Sequence, residues 1–322
     1  MASQQQDIRI GWIGLGLLGF EMAQHLQKYL HANELPSLTV WNRTSEKAER
    51  FQAIAAPGTY IAHSLKDFFI ADGSRRAANV IFTSLQNDAA VEQVYETLLQ
   101  QAATAQEQII FVETGTLYPE LSLRLQKEIA DLPQHHIYLQ CPVFGMPEVA
   151  RMAKMIWVAS GNADAIKKLL PYFESMSRAV LDLKTTDVSA GSTLKLLGNF
   201  MIMTQTAMLA ESINVARKAG LDPQHLVSWI DLFMPLPLLM NYSRTVVKGA
   251  EDEKVDMVVN IGVKDVGCVR RWAQVKGAPT PVADAVHGNL VIAKEKGFNK
   301  DWNFLIDSIN SRATKDGHDP SL

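Results

Sequence analysis

Cysteine is almost absent from this chain: Cys141 and Cys268 are the only two in 322 residues. Two thiols cannot build a disulfide framework or a zinc site by themselves, and such sparing use suggests a reducing compartment. Long apolar runs are missing too, since nothing approaches the roughly 18 residues that a membrane span needs. Nor is there a block of like charge. The 31 basic and 34 acidic residues leave a net charge of -3, so neither nucleic acid nor an anionic membrane is an expected partner. The opening "MASQQQD" has neither a basic nor an apolar targeting stretch, and the expectation is a cytoplasmic protein. No internal repeat or low-complexity segment occurs. What remains is a globular composition, 47% hydrophobic and 20% charged, with apolar material for two domains.

The two halves of the chain have different periods. Up to about residue 185, short β-rich runs alternate with amphipathic stretches. "IRIGWIG" (8–14), "LTVWN" (38–42), "NVIFTSL" (79–85), "IIFVETG" (109–115), "IYLQCPV" (137–143), "MIWVASG" (155–161) and "AVLDL" (179–183) read as strands. Most are apolar on both faces, as strands between two helix layers must be. Helices are expected between them, at 45–56, 88–101, 117–131 and 163–175. The alternation predicts an α/β fold with a Rossmann-type, doubly wound, mainly parallel sheet over residues 1–186. Beyond it the strand signal stops. A helix of nearly thirty residues, expected to be buried between domains or against a second subunit, ends at Gly220. Further helices are expected at 223–233, 236–248, 260–277, 281–297 and 302–311, with Pro235, Pro237, Pro279 and Pro281 at the breaks. Residues 187–322 therefore read as an all-helical domain.

The stretch "GWIGLGLLGFEMAQHL" places G-x-G-x-x-G between an apolar strand and a helix. That context gives a weak motif its meaning. Gly14 permits the tight turn, Gly16 lets backbone approach a pyrophosphate, and Gly19 lets helix and strand pack closely. With Leu15, Leu17 and Leu18 between them, these residues form a dinucleotide cradle at a helix N-terminus, where free N–H groups and the helix dipole favour phosphate. The end of the second strand selects the cofactor. A carboxylate there would bind the 2′-hydroxyl of NAD. This chain has Asn42 in its place, followed by Arg43 and Thr44, which suits the 2′-phosphate of NADP. Thr44 can equally serve as the N-cap of the next helix.

In "STLKLLGNF", Lys195 and Asn199 lie four apart on a helix and share a face. A lysine there can protonate a carbonyl oxygen, or it can carry its ammonium from a buried helix to water. Spacing alone leaves both open.

At this point the chain resembles the β-hydroxyacid dehydrogenases, a 6-phosphogluconate dehydrogenase-like group that includes 3-hydroxyisobutyrate dehydrogenase and the glyoxylate/succinic semialdehyde reductases. The likeness runs from Ile8 to about residue 310. "GLGLLG" matches the family's G-x-G-x-M-G turn, and "GTLYP" its S-T-x-x-P cofactor loop with Thr116 retained. "GSTLKLLGN" matches the G-x-x-x-K-x-x-x-N signature, and Lys264–Asp265 a late K-D pair. The resemblance implies that Lys195 is the proton donor and that Asn199 holds the substrate. It places Leu85, Gln86, Thr116 and Lys264 at the cofactor, and Asp265 at the substrate. The family usually reads D-A-P-V-S-G-G where this chain reads "QCPVFGM". Phe144 thus stands for a carboxylate-binding serine and Met146 for a glycine, with Gly145 retained between them. Ser189 and Gln86 also depart from the usual glycine and proline.

These readings converge on an NADP(H)-dependent oxidoreductase that interconverts a carbonyl and an alcohol on a small organic acid or related compound. The site is expected between the domains, in a homodimer without a metal. Phe144 argues for a substrate with an apolar portion. The alternatives are C=N reduction, as in imine reductases, which usually lack the lysine, and a non-catalytic NADP-binding scaffold of the same fold. His135–His136 read as a solvated loop, Cys141 as buried filler, "SWIDLFMPLPLLM" as a core or interdomain wall, and "EDEK" at 251–254 as a solvated loop.

Overall fold

The computed structural model describes residues 8–73, 75–248 and 259–297. The chain divides into two compact units, Met1–Lys195 and Leu196–Leu322.

Among the described residues, nine strands form the sheet of the first unit: β1 (Ile10–Ile13), β2 (Thr39–Trp41), β3 (Tyr60–Ile61), β4 (Val80–Thr83), β5 (Ile110–Glu113), β6 (Ile137–Gln140), β7 (Val143–Phe144), β8 (Met155–Gly161) and β9 (Ser177–Asp182). The order β3-β2-β1-β4-β5-β6 is parallel throughout. Its direction of winding reverses beside β1, the switch point at which open α/β sheets bind ligands outside the strands' C-terminal ends.

Helices α1 (Leu17–Ala32), α2 (Ser45–Ile54), α3 (Asp88–Ala102), α4 (Pro119–Ala130), α5 (Pro147–Arg151) and α6 (Ala163–Glu174) connect the strands. The period of two explains the layers. Ile10, Trp12, Val80, Phe82, Ile110 and Val112 join one core with Met22, Ala23, Leu26 and Leu30 of α1. Ile13, Ile81 and Phe111 join another with Val91, Tyr95 and Leu98 of α3. Stacked rings fill the first core, Trp12 on Phe82 at 5.2 Å and Trp157 on Phe173 at 4.9 Å.

The far edge departs from the expected pattern. The run 137–143 is not one strand: β6 and β7 continue a single antiparallel register on β8, interrupted at Cys141–Pro142. Proline has no N–H to give the ladder, so a break there follows from its chemistry. On the other side of β8, β9 pairs in parallel and is largely exposed, so it is an edge strand and not one buried on both faces. The short β3, the 3-10 turn Leu65–Phe69 and α5 have too few residues to show a period.

The second unit continues helix α7 (Ser189–Lys218) and adds α8 (Gln224–Phe233), α9 (Pro237–Lys248), α10 (Val259–Val275) and α11 (Pro281–Glu295). Its core joins Met203, Ala207, Ala210 and Ile213 of α7 to Ile230, Leu239, Val246, Val266 and Leu290. Helix α7 is less buried than its composition suggests. Leu197, Met201, Met208 and Val215 are exposed on one face, at spacings of four and seven. The expected helix at 302–311 and the run 251–254 lie outside the described residues. No helix among the described residues is long and apolar enough to cross a membrane.

Candidate functional site

The glycine turn follows β1. Gly14 has φ +100°, and a Cβ there would stand 2.2 Å from the carbonyl oxygen of Ser84. A side chain is excluded both by conformation and by space. At Gly19, a Cβ would meet the Gly14 carbonyl oxygen at 2.3 Å, so the absence of a side chain lets α1 close on the turn. Gly16 is different: a Cβ there would meet nothing within 4 Å. Gly16 is the N-cap of α1, its backbone lies open, and the helix has no acidic residue in its first turn. Open backbone and unbonded first-turn N–H groups, free of negative charge, fit a pyrophosphate. Leu17 is exposed, with Leu18 half-buried beside it.

Asn42 ties the second strand to this turn. Its Oδ1 accepts the N–H of Leu15 at 2.8 Å, and its Nδ2 donates to the carbonyl of Thr44 at 2.9 Å. Arg43 and Thr44 beyond it are exposed. Thr44 is the N-cap of α2, but its hydroxyl makes no capping hydrogen bond. The loops after β4 and β5 border the same edge. Leu85 is near enough to Gly14 that a Cβ there would meet its Cδ2 at 3.3 Å. Gln86 is exposed, and Thr116 is half-buried in the loop before α4.

Sequence reasoning missed the polar network beneath these loops. Glu113, fully buried at the end of β5, accepts from the Thr83 hydroxyl and from the Gly115 N–H, each at 2.6 Å. Burial pushes its carboxyl up to about 7, aided by the charge of Asp88 and opposed by those two donors. Thr83 also meets the Tyr95 hydroxyl at 3.1 Å. Gln140 donates to the Gly115 carbonyl at 3.0 Å and accepts from the Tyr138 and Ser122 hydroxyls. Ser122 meets Ser192, in the first turn of α7, at 2.7 Å. A hydrogen-bonded chain therefore runs from β4 under the Gly115–Thr116 loop to α7, three residues before Lys195. The available signal was a polar residue closing two otherwise apolar strands, Glu113 in "IIFVETG" and Gln140 in "IYLQC".

Lys195 lies 4.2 Å from the centroid of the Phe144 ring. Phe144 ends β7, opposite Ile156. Gly145 follows with φ +150°, and a Cβ there would strike the Met155 sulfur at 2.4 Å; Met146 is the N-cap of α5. One turn beyond Lys195, in the second unit, Asn199 donates to Oδ2 of Asp265 at 2.7 Å. Lys264 pairs with the other oxygen of Asp265 at 3.1 Å, and this aspartate is only 2% exposed. The structure thus gathers three sets: the loops after β1, β2, β4 and β5; Phe144 with Lys195; and Asn199 with Lys264 and Asp265.

The residues read as bystanders divide. Cys141 is buried, and burial pushes its thiol well above the ordinary range, so it is no nucleophile. His135 is exposed, but His136 is buried and not part of a solvated loop. Its Nδ1 accepts from Ile109 N–H at 3.0 Å, leaving Nε2–H to donate to the Ala102 carbonyl at 3.0 Å. Among the described residues, no group of three or more His, Cys, Asp or Glu side chains could hold a metal ion.

Residues 9–187 match the family model of the NAD-binding domain of 6-phosphogluconate dehydrogenase. An NADH-dependent oxidoreductase of Aspergillus ustus is 28% identical, over 86% of this chain and 90% of that protein. The crystal structure of 3-hydroxyisobutyrate dehydrogenase from Salmonella typhimurium superposes with a TM-score of 0.76 at 22% identity, covering 94% and 99% of the two chains. An imine reductase from Myxococcus stipitatus shares the fold more loosely, with a TM-score of 0.60 at 15% identity over 94% and 99%. The family match takes in more than half of the sequence, and this chain belongs to the β-hydroxyacid dehydrogenases, a family of NAD(P)-dependent oxidoreductases built on the NAD-binding domain of 6-phosphogluconate dehydrogenase.

Proposed function

We propose that the protein is an NADP-dependent dehydrogenase or reductase that interconverts a carbonyl and an alcohol on a small organic acid or related compound bearing an apolar portion. The observation that carries this reading is Lys195, within the family signature, held at the ring of Phe144. A dinucleotide held by the Gly14–Gly19 turn and by Arg43 and Thr44 would supply or accept the hydride. Lys195 Nζ gives a proton to the carbonyl oxygen in reduction and takes it from the hydroxyl in oxidation. Asn199 orients the substrate, and Asp265 fixes it in turn by accepting its amide N–H. Lys264, paired with the same carboxylate, serves the cofactor.

Preference for NADP rests on the Asn42–Arg43–Thr44 sequence. Asn42 spends its amide on the glycine turn and the Thr44 carbonyl, bringing no charge to repel a 2′-phosphate. Arg43 and the uncapped Thr44 hydroxyl are exposed beside it and can donate to that phosphate. The NADH-dependent relative makes this the first point to test. Phe144 has no hydroxyl for a carboxylate, which favours a substrate whose apolar part lies on the ring. The exposed stripe Leu197, Met201, Met208 and Val215 supports a homodimer.

Imine reduction is the second reading, favoured by the shared fold, and the retained Lys195 weighs against it. The experiment is Lys195→Ala. Turnover should fall about 10²–10⁴-fold, the range for a positioned acid–base group, with NADPH affinity nearly unchanged. Normal turnover removes the lysine from the mechanism, and an equal loss of NADPH binding makes it a cofactor residue.

A further inference from the structure

Phe144 is more than a wall of the pocket. We infer that its ring is a positioning group for Lys195: the π face holds the ammonium in place and favours its charged form, which is the form that can donate a proton. The inference rests on the catalytic reading of Lys195 given above.

The geometry has three parts. Lys195 Nζ stands 4.2 Å from the ring centroid, well inside the roughly 6 Å over which a cation is attracted to an aromatic face. The backbone that carries the ring is fixed from its own side. Phe144 pairs with Ile156 on β8, and a side chain at Gly145 has no room because Met155 Sδ and Val149 Cγ1 would lie 2.4 and 3.0 Å from its Cβ. The lysine is fixed from the other side, through the first turn of α7. Ser189 N–H and its hydroxyl both donate to Asp187 Oδ1, at 2.9 and 2.6 Å. Gly191 packs so tightly that a Cβ would stand 2.9 Å from the Gln140 carbonyl oxygen, and Ser192 bonds Ser122. Lysine is a flexible four-carbon stem with a point charge, so a rigid helix alone does not set where its ammonium sits. A ring face within reach, carried on a fixed backbone, narrows that choice.

This also accounts chemically for an aromatic at the position where the family pattern, by the resemblance, has a serine. A hydroxyl would offer a substrate carboxylate a hydrogen bond. The ring instead offers the ammonium a face that stabilises its positive charge. When the lysine gives up its proton the attraction ends, so the ring biases the group towards reprotonation.

The experiment varies the ring's charge distribution at constant shape. Phenylalanine analogues with one, two and three ring fluorines are introduced at position 144, beside Phe144→Leu and Phe144→Tyr, and the pH profile of kcat/KM for carbonyl reduction is measured. The alkaline limb should move to lower pH stepwise with fluorination, by about half to one pH unit at the end of the series and in Phe144→Leu. Phe144→Tyr should keep the native limb. An independent readout needs no turnover: the Lys195 Cε protons, labelled in lysine and assigned by their loss in Lys195→Arg, should resonate upfield in the native protein and return to ordinary values in Phe144→Leu. A limb that stays fixed across the fluorinated series, in an enzyme that Lys195→Ala inactivates, overturns the role of Phe144 alone. Full turnover in Lys195→Ala overturns the catalytic reading and this one together.

Discussion

Replacing Glu113 by glutamine should change how the stability of this protein depends on pH. The carboxyl is completely buried, and burial moves it from an ordinary value of 4.5 to about 7. A folded state that holds this proton more tightly than the unfolded chain is favoured most below pH 4.5. Its advantage declines as pH rises towards 7 and is gone above that, because the buried group must then ionise. At about 1.4 kcal/mol per pH unit, the decline amounts to roughly 3 kcal/mol for one group. Glutamine keeps the shape, can accept the Gly115 N–H through its oxygen and donate to Thr83 through its amide, and does not titrate. Urea unfolding of both proteins at pH 5, 6, 7 and 8 measures the effect. The native protein should lose about 2–3 kcal/mol relative to Glu113→Gln across that range, most of it between pH 5 and 7. Parallel stability curves would refute the account, since they would mean that Glu113 binds protons equally in both states.

Arg43→Ala should weaken NADPH binding by about 1–3 kcal/mol, the scale of a charge-assisted contact, and leave NADH nearly unaffected; titration with both cofactors checks this. Gly16→Ala and Gly19→Ala should separate two duties of one turn. The first adds a methyl group to open space and should cost less than about 1 kcal/mol of stability while lowering cofactor affinity. The second forces Gly14 backbone aside and should cost about 1–3 kcal/mol in the thermal unfolding of the apoprotein. Phe144→Ser, with Met146→Gly for room, should raise kcat/KM for short semialdehydes relative to larger carbonyls by up to about 10–150-fold, as ratios of kcat/KM report.

The parallel sheet is legible in the sequence because most of its strands are apolar on both faces, and β1, β2, β4 and β5 are each followed by an amphipathic helix. Trp12 and Ile13 can serve opposite cores only in such a strand. The interruption at Cys141–Pro142 is harder to read, because the apolar run continues through a residue that cannot donate to the ladder. His136 looks polar in a chain of letters, yet it is held by two backbone partners, 27 and 34 residues away. Glu113 and Gln140 escape notice for the same reason. Their partners, Thr83 on β4 and Ser122 on α4, come from other elements of the fold, and only folding brings them together. The motif residues are recognisable from spacing, whereas the contact of Lys195 with Phe144 spans 51 positions and no local pattern announces it.

The central claim is that this chain reduces a carbonyl with NADPH and takes the proton from Lys195. The most direct measurement is NADPH consumption by the native protein and by Lys195→Ala against one panel of aldehydes, keto acids and cyclic imines, repeated with NADH. Turnover is expected on a carbonyl carrying an apolar group, faster with NADPH than with NADH, and nearly abolished in Lys195→Ala. Turnover confined to the imines, or undiminished without the lysine, would contradict that claim.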